Sequence, residues 1–163
     1  MRVYALEQFD RPDFEKNLSL KMRIIYNLGV STGLRISDIV QLKKNILSIK
    51  EPTIKEQKTK KSKRFYIKSQ LRNQLIEIAK QSKNDYIFYS NSKSGHISRQ
   101  SVWKAFKIAS LKCNINTNIG TQSMRKMYAQ KIKVGHSYNY VKTKLNHDNI
   151  STAMLYCAKK EDF

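Results

Sequence analysis

Six side chains spread along the sequence carry the chemistry that a phosphodiester demands. Arg35 lies in "TGLRISDIVQL", residues 32–42, where Leu34, Ile36, Ile39, Val40 and Leu42 suit a buried helix face. A permanent cation in such a place needs an anionic partner. Lys58 lies in "QKTKK"; Gln122 and Arg125 lie in "TQSMRKMYA", one helical turn apart and so on one face. His147 and Tyr156 lie in "KLNHDNISTAMLY", nine residues apart. Guanidinium groups bind non-bridging phosphate oxygens bidentately and offset charge that grows in a transition state. A phenol is a competent nucleophile once something takes its proton, and an ammonium can protonate a departing sugar oxygen. Together these are the parts of a phosphoryl transfer that needs neither metal nor cofactor.

The elements that must position them are mostly helical. Pro12 can open a short helix in "PDFEKNL". From about residue 20 to 42 apolar residues and glycines recur at three- and four-residue spacing: Met22, Ile25, Tyr26, Gly29, Val30 and Gly33. The two glycines weaken that helix or let something approach its backbone closely. "ILSIKEPTIKEQKTKKSKRFYIKS" alternates apolar and polar residues and reads as short strands, with turns near Pro52 and at "KKSK". "QLRNQLIEIAK" is a helix with Leu71, Leu75, Ile78 and Ala79 on one face; "YIFYS" is extended and "NSKSGH" is a loop. Ser98 caps a helix to about residue 111, with Val102, Trp103, Phe106 and Ala109 turned inward. Helices over about 121–133, 137–145 and 149–158 complete the chain. The fold class is α+β, mostly helix with one small antiparallel sheet.

The chain has 163 residues, with 32 Lys+Arg against 12 Asp+Glu, a net charge of +20. Such an excess repels itself unless a polyanion screens it, and the basic residues are spread along the chain rather than gathered in a tail. Nucleic acid is the leading partner and a membrane surface the weaker one. No apolar run approaches a membrane span and "MRVYALEQFD" has no signal core, so a cytosolic protein is expected. Cys113 and Cys157 show no metal-ligand spacing and read as reduced and structural.

At these residues the sequence resembles the tyrosine recombinases, the phage integrase family. The family's "TGLRxSE" box is similar to "TGLRISD", with Arg35 as the first arginine and Asp38 as its acidic companion. Its hairpin lysine resembles Lys58, its "HxLR" box resembles "QSMR" with Arg125 as the second arginine, and its "LGHxxxxxTxxY" box resembles "LNHDNISTAMLY". Gly135 stands twelve residues before His147, as is usual there. Gln122 replaces the usual histidine; an amide can hydrogen-bond a phosphate but cannot accept a proton. Asn146 replaces the glycine before His147. The resemblance implies a tyrosine recombinase catalytic domain. Tyr156 would attack a DNA phosphodiester to form a 3′-phosphotyrosine, Arg35, Arg125 and His147 would hold the non-bridging oxygens, and Lys58 would protonate the 5′ oxygen. A second strand's 5′ hydroxyl would reverse the step.

Family members usually carry a helical DNA-clamping domain ahead of the catalytic one. Arg35 comes too early to leave room for it, and seven residues follow Tyr156, short for the tail helix that docks on a neighbouring subunit. The expectation is a single catalytic domain over 1–163, self-associating on DNA, with a partner protein supplying the clamp, in the cytoplasm and nucleoid of a bacterial host. Lys58, Lys60, Lys61, Lys63, Arg64, Arg99 and Lys126 are the candidates for DNA contact, and Lys60 is the alternative to Lys58 as the site lysine. His136 in "VGHS" is a decoy, since the residue nine further on is Leu145. His96 is expected to be solvated, and Trp103, Phe106, Phe65, Tyr66 and Phe88 to be core. Two functions are compatible with the sequence: a DNA strand-exchange enzyme from a phage or mobile element, favoured by the retained Arg, Lys, His and Tyr, and a DNA-binding regulator on the same scaffold, favoured by Gln122 and by the expected lack of a clamp domain.

Overall fold

A computed structural model describes residues 2–162. Helix α1 (Arg11–Lys16) begins beside Pro12 and buries Phe14. The expected long helix is two: α2 (Leu20–Thr32) and a single turn, α3 (Ile36–Ile39). The break is at Gly33, in the left-handed region at φ +64°, which a residue with a Cβ rarely adopts. A 3₁₀ turn over Lys44–Ser48 leads to the antiparallel hairpin β1 (Thr53–Lys55) and β2 (Ser62–Arg64), with Ile54 opposite Lys63. Helices α4 (Ser69–Lys80), α5 (Arg99–Lys112), α6 (Thr121–Lys133), α7 (Tyr138–Lys144) and α8 (Ile150–Cys157) follow. Ser19, Ser98, Ser137 and Asn149 cap α2, α5, α7 and α8 by accepting from a backbone N–H three residues on. The "YIFYS" stretch is held by isolated bridges, Lys43 to Tyr86 and Tyr89 to His96.

The main core gathers α1, α2, α4, α5 and α6 around the rings of Phe14, Tyr26 and Phe106, whose centroids lie 5.4–6.0 Å apart. A smaller cluster of Ala129, Val141, Leu145 and Ala153 joins α6, α7 and α8, with Tyr156 packed at its edge. Gly29 within α2 and Gly33 just past its end serve close approach. A Cβ on Gly29 would collide with the Met124 side chain, and one on Gly33 with the ring of Tyr128. Both contacts come from α6, which therefore lies against the α2 backbone and brings Arg125 to the carbonyl of Gly33.

The core expectation holds for Phe65, Phe88 and Phe106, but Trp103 is 51% and Tyr66 45% exposed. Trp103 is adjacent to Val102, which points inward, and so lies off the buried stripe of α5. His96 is half-buried rather than solvated, packed edge-on against Tyr86 and bonded through Nδ1 to the carbonyl of Ile97. His136 is exposed and stacks on Tyr140. Cys113 and Cys157 are free thiols. Among the described residues no helix is long and apolar enough to cross a membrane, and no three His, Cys, Asp or Glu side chains gather as metal ligands.

Candidate active site

Arg35, Lys58, Gln122, His147 and Tyr156 all line one cleft of about 540 Å³, together with Arg99, Asn146 and Thr152. Arg125 is 1% exposed and lies beneath them. Each arrives by a local device. Arg35 is the residue just before α3, extended at φ −73°, ψ 148°, where the chain turns out of Gly33. Lys58 sits in the exposed loop of the hairpin, closed by Glu56 N–H to the Lys61 carbonyl (2.9 Å) and Lys60 N–H to the Glu56 carbonyl (3.0 Å). Gln122 and Arg125 share a face of α6, and Tyr156 stands on the last turn of α8.

Arg125 is fastened by the backbone. Its Nη1 donates to the Gly33 carbonyl at 2.5 Å and its Nη2 to the Leu145 carbonyl at 3.0 Å. Nη2 also lies 3.4 Å from Nε2 of His147. A guanidinium has only donors, so Nε2 is the acceptor and the imidazole proton sits on Nδ1. Burial first, then the charges of Arg125 and Arg35, push the His147 pKa down to about 4, so the imidazole is neutral at pH 7. The Tyr156 ring lies 4.7 Å from that of His147 and 5.7 Å from the Arg125 guanidinium carbon. The Tyr156 hydroxyl donates to Oε1 of Gln122 at 2.9 Å.

The acidic companion of Arg35 is not Asp38. Arg35 Nη1 pairs with Oε1 of Glu56 at 2.7 Å, and Glu56 is fully buried. Asp38 instead accepts the Gln57 N–H at 2.8 Å and thereby anchors the start of the Lys58 loop. Burial raises the Asp38 pKa against that hydrogen bond. Glu56 also accepts from Thr59 Oγ1 (2.6 Å) and Asn146 Nδ2 (3.0 Å). Burial pushes its carboxyl up, but those bonds and the charges of Arg35 and Lys63 outweigh it, and its pKa is lowered. Sequence reasoning missed Glu56, because a glutamate in a lysine-rich hairpin looks solvated. Asn146 holds φ +53°, the left-handed backbone that favours glycine and that Asn tolerates.

The cations expected at a DNA surface divide. Lys58 and Arg99 line the cleft, whereas Lys60, in the same loop, does not, which favours Lys58 as the site lysine. Lys61 pairs with Asp148 at 2.5 Å and Arg64 with Glu51 at 2.5 Å, both at exposed positions. Lys126 stands over the ring of Tyr4 and does not line the cleft. Lys63, expected in a solvated turn, faces inward from β2 with only 5% of its surface exposed, and donates to the Gly33 carbonyl at 3.3 Å. Burial first, then the neighbouring Arg125 charge, push its pKa down to about 7.

A sequence profile of the phage integrase family matches residues 5–162. The chain is 30% identical over 148 residues to the probable integrase/recombinase YoeC of Bacillus subtilis (strain 168), covering 85% of this chain and 77% of YoeC. It is 24% identical over 162 residues to the tyrosine recombinase XerD of Staphylococcus haemolyticus, covering 93% of this chain and 55% of XerD. The chain thus spans little more than half the length of this XerD relative. Among solved structures it superposes on the XerA recombinase with a TM-score of 0.79 at 17% identity, over 99% of this chain and 61% of XerA. On a lambda integrase dimer bound to a COC′ core site the TM-score is 0.80 at 15% identity, over 98% of this chain and 61% of that one. With the profile spanning nearly every residue and the fold matching that of solved recombinases, the chain belongs to the phage integrase family, and its fold is that of a tyrosine recombinase catalytic domain.

Proposed function

We propose that this protein cleaves and rejoins DNA strands in site-specific recombination, through a covalent 3′-phosphotyrosine. The observation that carries the proposal is the single cleft onto which Arg35, Lys58, Gln122, His147 and Tyr156 open, with Arg125 directly beneath. Tyr156 Oη gives up its proton to solvent water and attacks the phosphorus, the bond to the 5′ oxygen breaks, and Lys58 delivers a proton to that oxygen. Arg35 neutralises a non-bridging oxygen, and Arg125 adds a fixed positive charge from below. His147 is neutral and next to the Tyr156 ring, so it supports the phosphate site without adding a charge of its own. In the reverse step a 5′ hydroxyl gives its proton to Lys58 and attacks the phosphotyrosine, and the freed tyrosinate regains a proton from solvent.

DNA is the substrate in this proposal, and copies of the chain associate on it. The lambda integrase neighbours support both points, being a dimer on a core site and a tetramer on a Holliday junction. Clamping of the duplex by a partner protein belongs to the same proposal. The likeness to integrases and recombinases favours strand exchange over a purely regulatory role. The test is incubation with a duplex nicked near the scissile phosphate, so that the short cleaved fragment diffuses away and traps the covalent protein–DNA species. Wild type should accumulate an adduct stable to denaturant, and Tyr156→Phe should bind the same DNA and form none. No adduct from wild type on any nicked duplex would contradict the proposal.

A further inference from the structure

Glu56 and Asp38 are the two buried carboxylates among the described residues, and Glu56 is the one with no exposed surface at all. Its side chain reaches three segments that are remote from one another in sequence. It meets Arg35 at 2.7 Å, Thr59 in the Lys58 loop at 2.6 Å, and Asn146, next to His147, at 3.0 Å. Its backbone closes the hairpin loop at both ends. One carboxylate therefore ties together the segments that bear Arg35, Lys58 and His147.

Fastening alone does not need a charge. A buried ion pair contributes little net stability over apolar packing of the same volume, because desolvation of both ions opposes their attraction. What a carboxylate adds is an opposite charge at one fixed point. It meets one terminal nitrogen of the Arg35 guanidinium, Nη1, as an ion pair at 2.7 Å, and a guanidinium carries five N–H donors in a rigid fork. Glu56 is the one partner of Arg35 among the described residues, and Arg35 lines the cleft.

We propose that Glu56 is a positioning residue for phosphate recognition. It holds Arg35 by the ion pair at Nη1 so that the remaining donors meet a non-bridging phosphate oxygen, and it sets the Lys58 and His147 turns in the same frame. The proposal rests on the strand-cleavage function above and deepens it.

A double-mutant cycle of Arg35→Ala and Glu56→Gln tests it. Affinity for a nicked duplex is read in a Tyr156→Phe background, which excludes covalent capture, and thermal midpoints are followed in parallel. Arg35→Ala should weaken binding about tenfold when Glu56 is present and about twofold or less beside Glu56→Gln. Glu56→Gln alone should weaken binding about fivefold, since it disables what Arg35 contributes. With Tyr156 restored, Glu56→Gln should also slow adduct formation at saturating DNA about tenfold, and Glu56→Asp should recover part of the rate and of the affinity. A merely structural role would instead lower the midpoint and leave the cost of Arg35→Ala on binding the same in both backgrounds. Equal costs of Arg35→Ala in both backgrounds would overturn the proposal. A larger cost beside Glu56→Gln would also overturn it, since Glu56 would then compete with the phosphate. If Glu56→Gln does not fold, Glu56→Asp takes its place in the cycle, with an intermediate coupling expected and none overturning the proposal. If wild type forms no adduct, the strand-cleavage function fails on its own, and the affinity cycle still decides the role of Glu56.

Discussion

The hydroxyl of Tyr156 donates to Oε1 of Gln122 at 2.9 Å. The residue in the nucleophile position is thus oriented by an acceptor that cannot take its proton. An imidazole at the same place would both orient and deprotonate. General-base catalysis contributes roughly 10²–10⁴-fold, so Gln122→His should accelerate adduct formation on nicked DNA by up to about that factor. Single-turnover kinetics would show it, and an unchanged rate would mean that proton removal does not limit cleavage.

Asn146 combines a left-handed backbone with two side-chain bonds, to Glu56 and to the Ser62 carbonyl at 3.2 Å. Asn146→Gly keeps the backbone and loses the bonds, whereas Asn146→Ala loses the bonds and adds a strained Cβ. The alanine variant should be the less stable of the two by about 1 kcal/mol in urea unfolding. Equal stabilities would show that the turn relaxes out of its left-handed conformation.

Lys63 makes stability depend on pH. Its folded pKa is about 7 against an ordinary 10.5, so between these values the unfolded chain binds a proton that the folded chain does not. Stability then rises with pH across that window, by at most about 1.4 kcal/mol per pH unit for one proton. The penalty of burying the charge is fully present below pH 7 and is relieved as pH rises. The stability of wild type minus that of Lys63→Met should therefore increase from pH 7 to 10. A flat difference would place the Lys63 ammonium in a solvated site.

With a net charge of +20, DNA binding should be steeply salt-dependent. For about six phosphates neutralised, log K against log salt should have a slope of about −5. Arg99→Ala, at the cleft, should make the slope shallower by about 1, whereas Lys126→Ala should leave it unchanged. Fluorescence anisotropy at several salt concentrations measures both.

Much of this architecture is legible in local spacing. Helices α4 and α5 follow from apolar periodicity, α5 also from its cap at Ser98, and the site residues follow from chemistry and order. What is not legible depends on partners far away in sequence. Asp38 is the nearest acid to Arg35, yet α3 is a single turn and Asp38 faces the Gln57 N–H, which leaves Arg35 to Glu56. Glu56 becomes buried only when the hairpin folds over Arg35. Lys63 did carry a signal: Lys63, Phe65 and Ile67 alternate, and all three are buried. The lysine-rich composition of the turn masked that period of two. Helical spacing alone turns Trp103 inward, yet it lies one residue off the buried stripe.

The central claim is a covalent bond from Tyr156 to the 3′ end of a cleaved strand. Trapping the adduct on a nicked duplex, digesting both partners and sequencing the joined peptide by mass spectrometry tests it most directly. The account predicts a nucleotide 3′-phosphate esterified to Tyr156, in the peptide that also bears "STAML". Linkage to another residue, or to a 5′-phosphate, would contradict it.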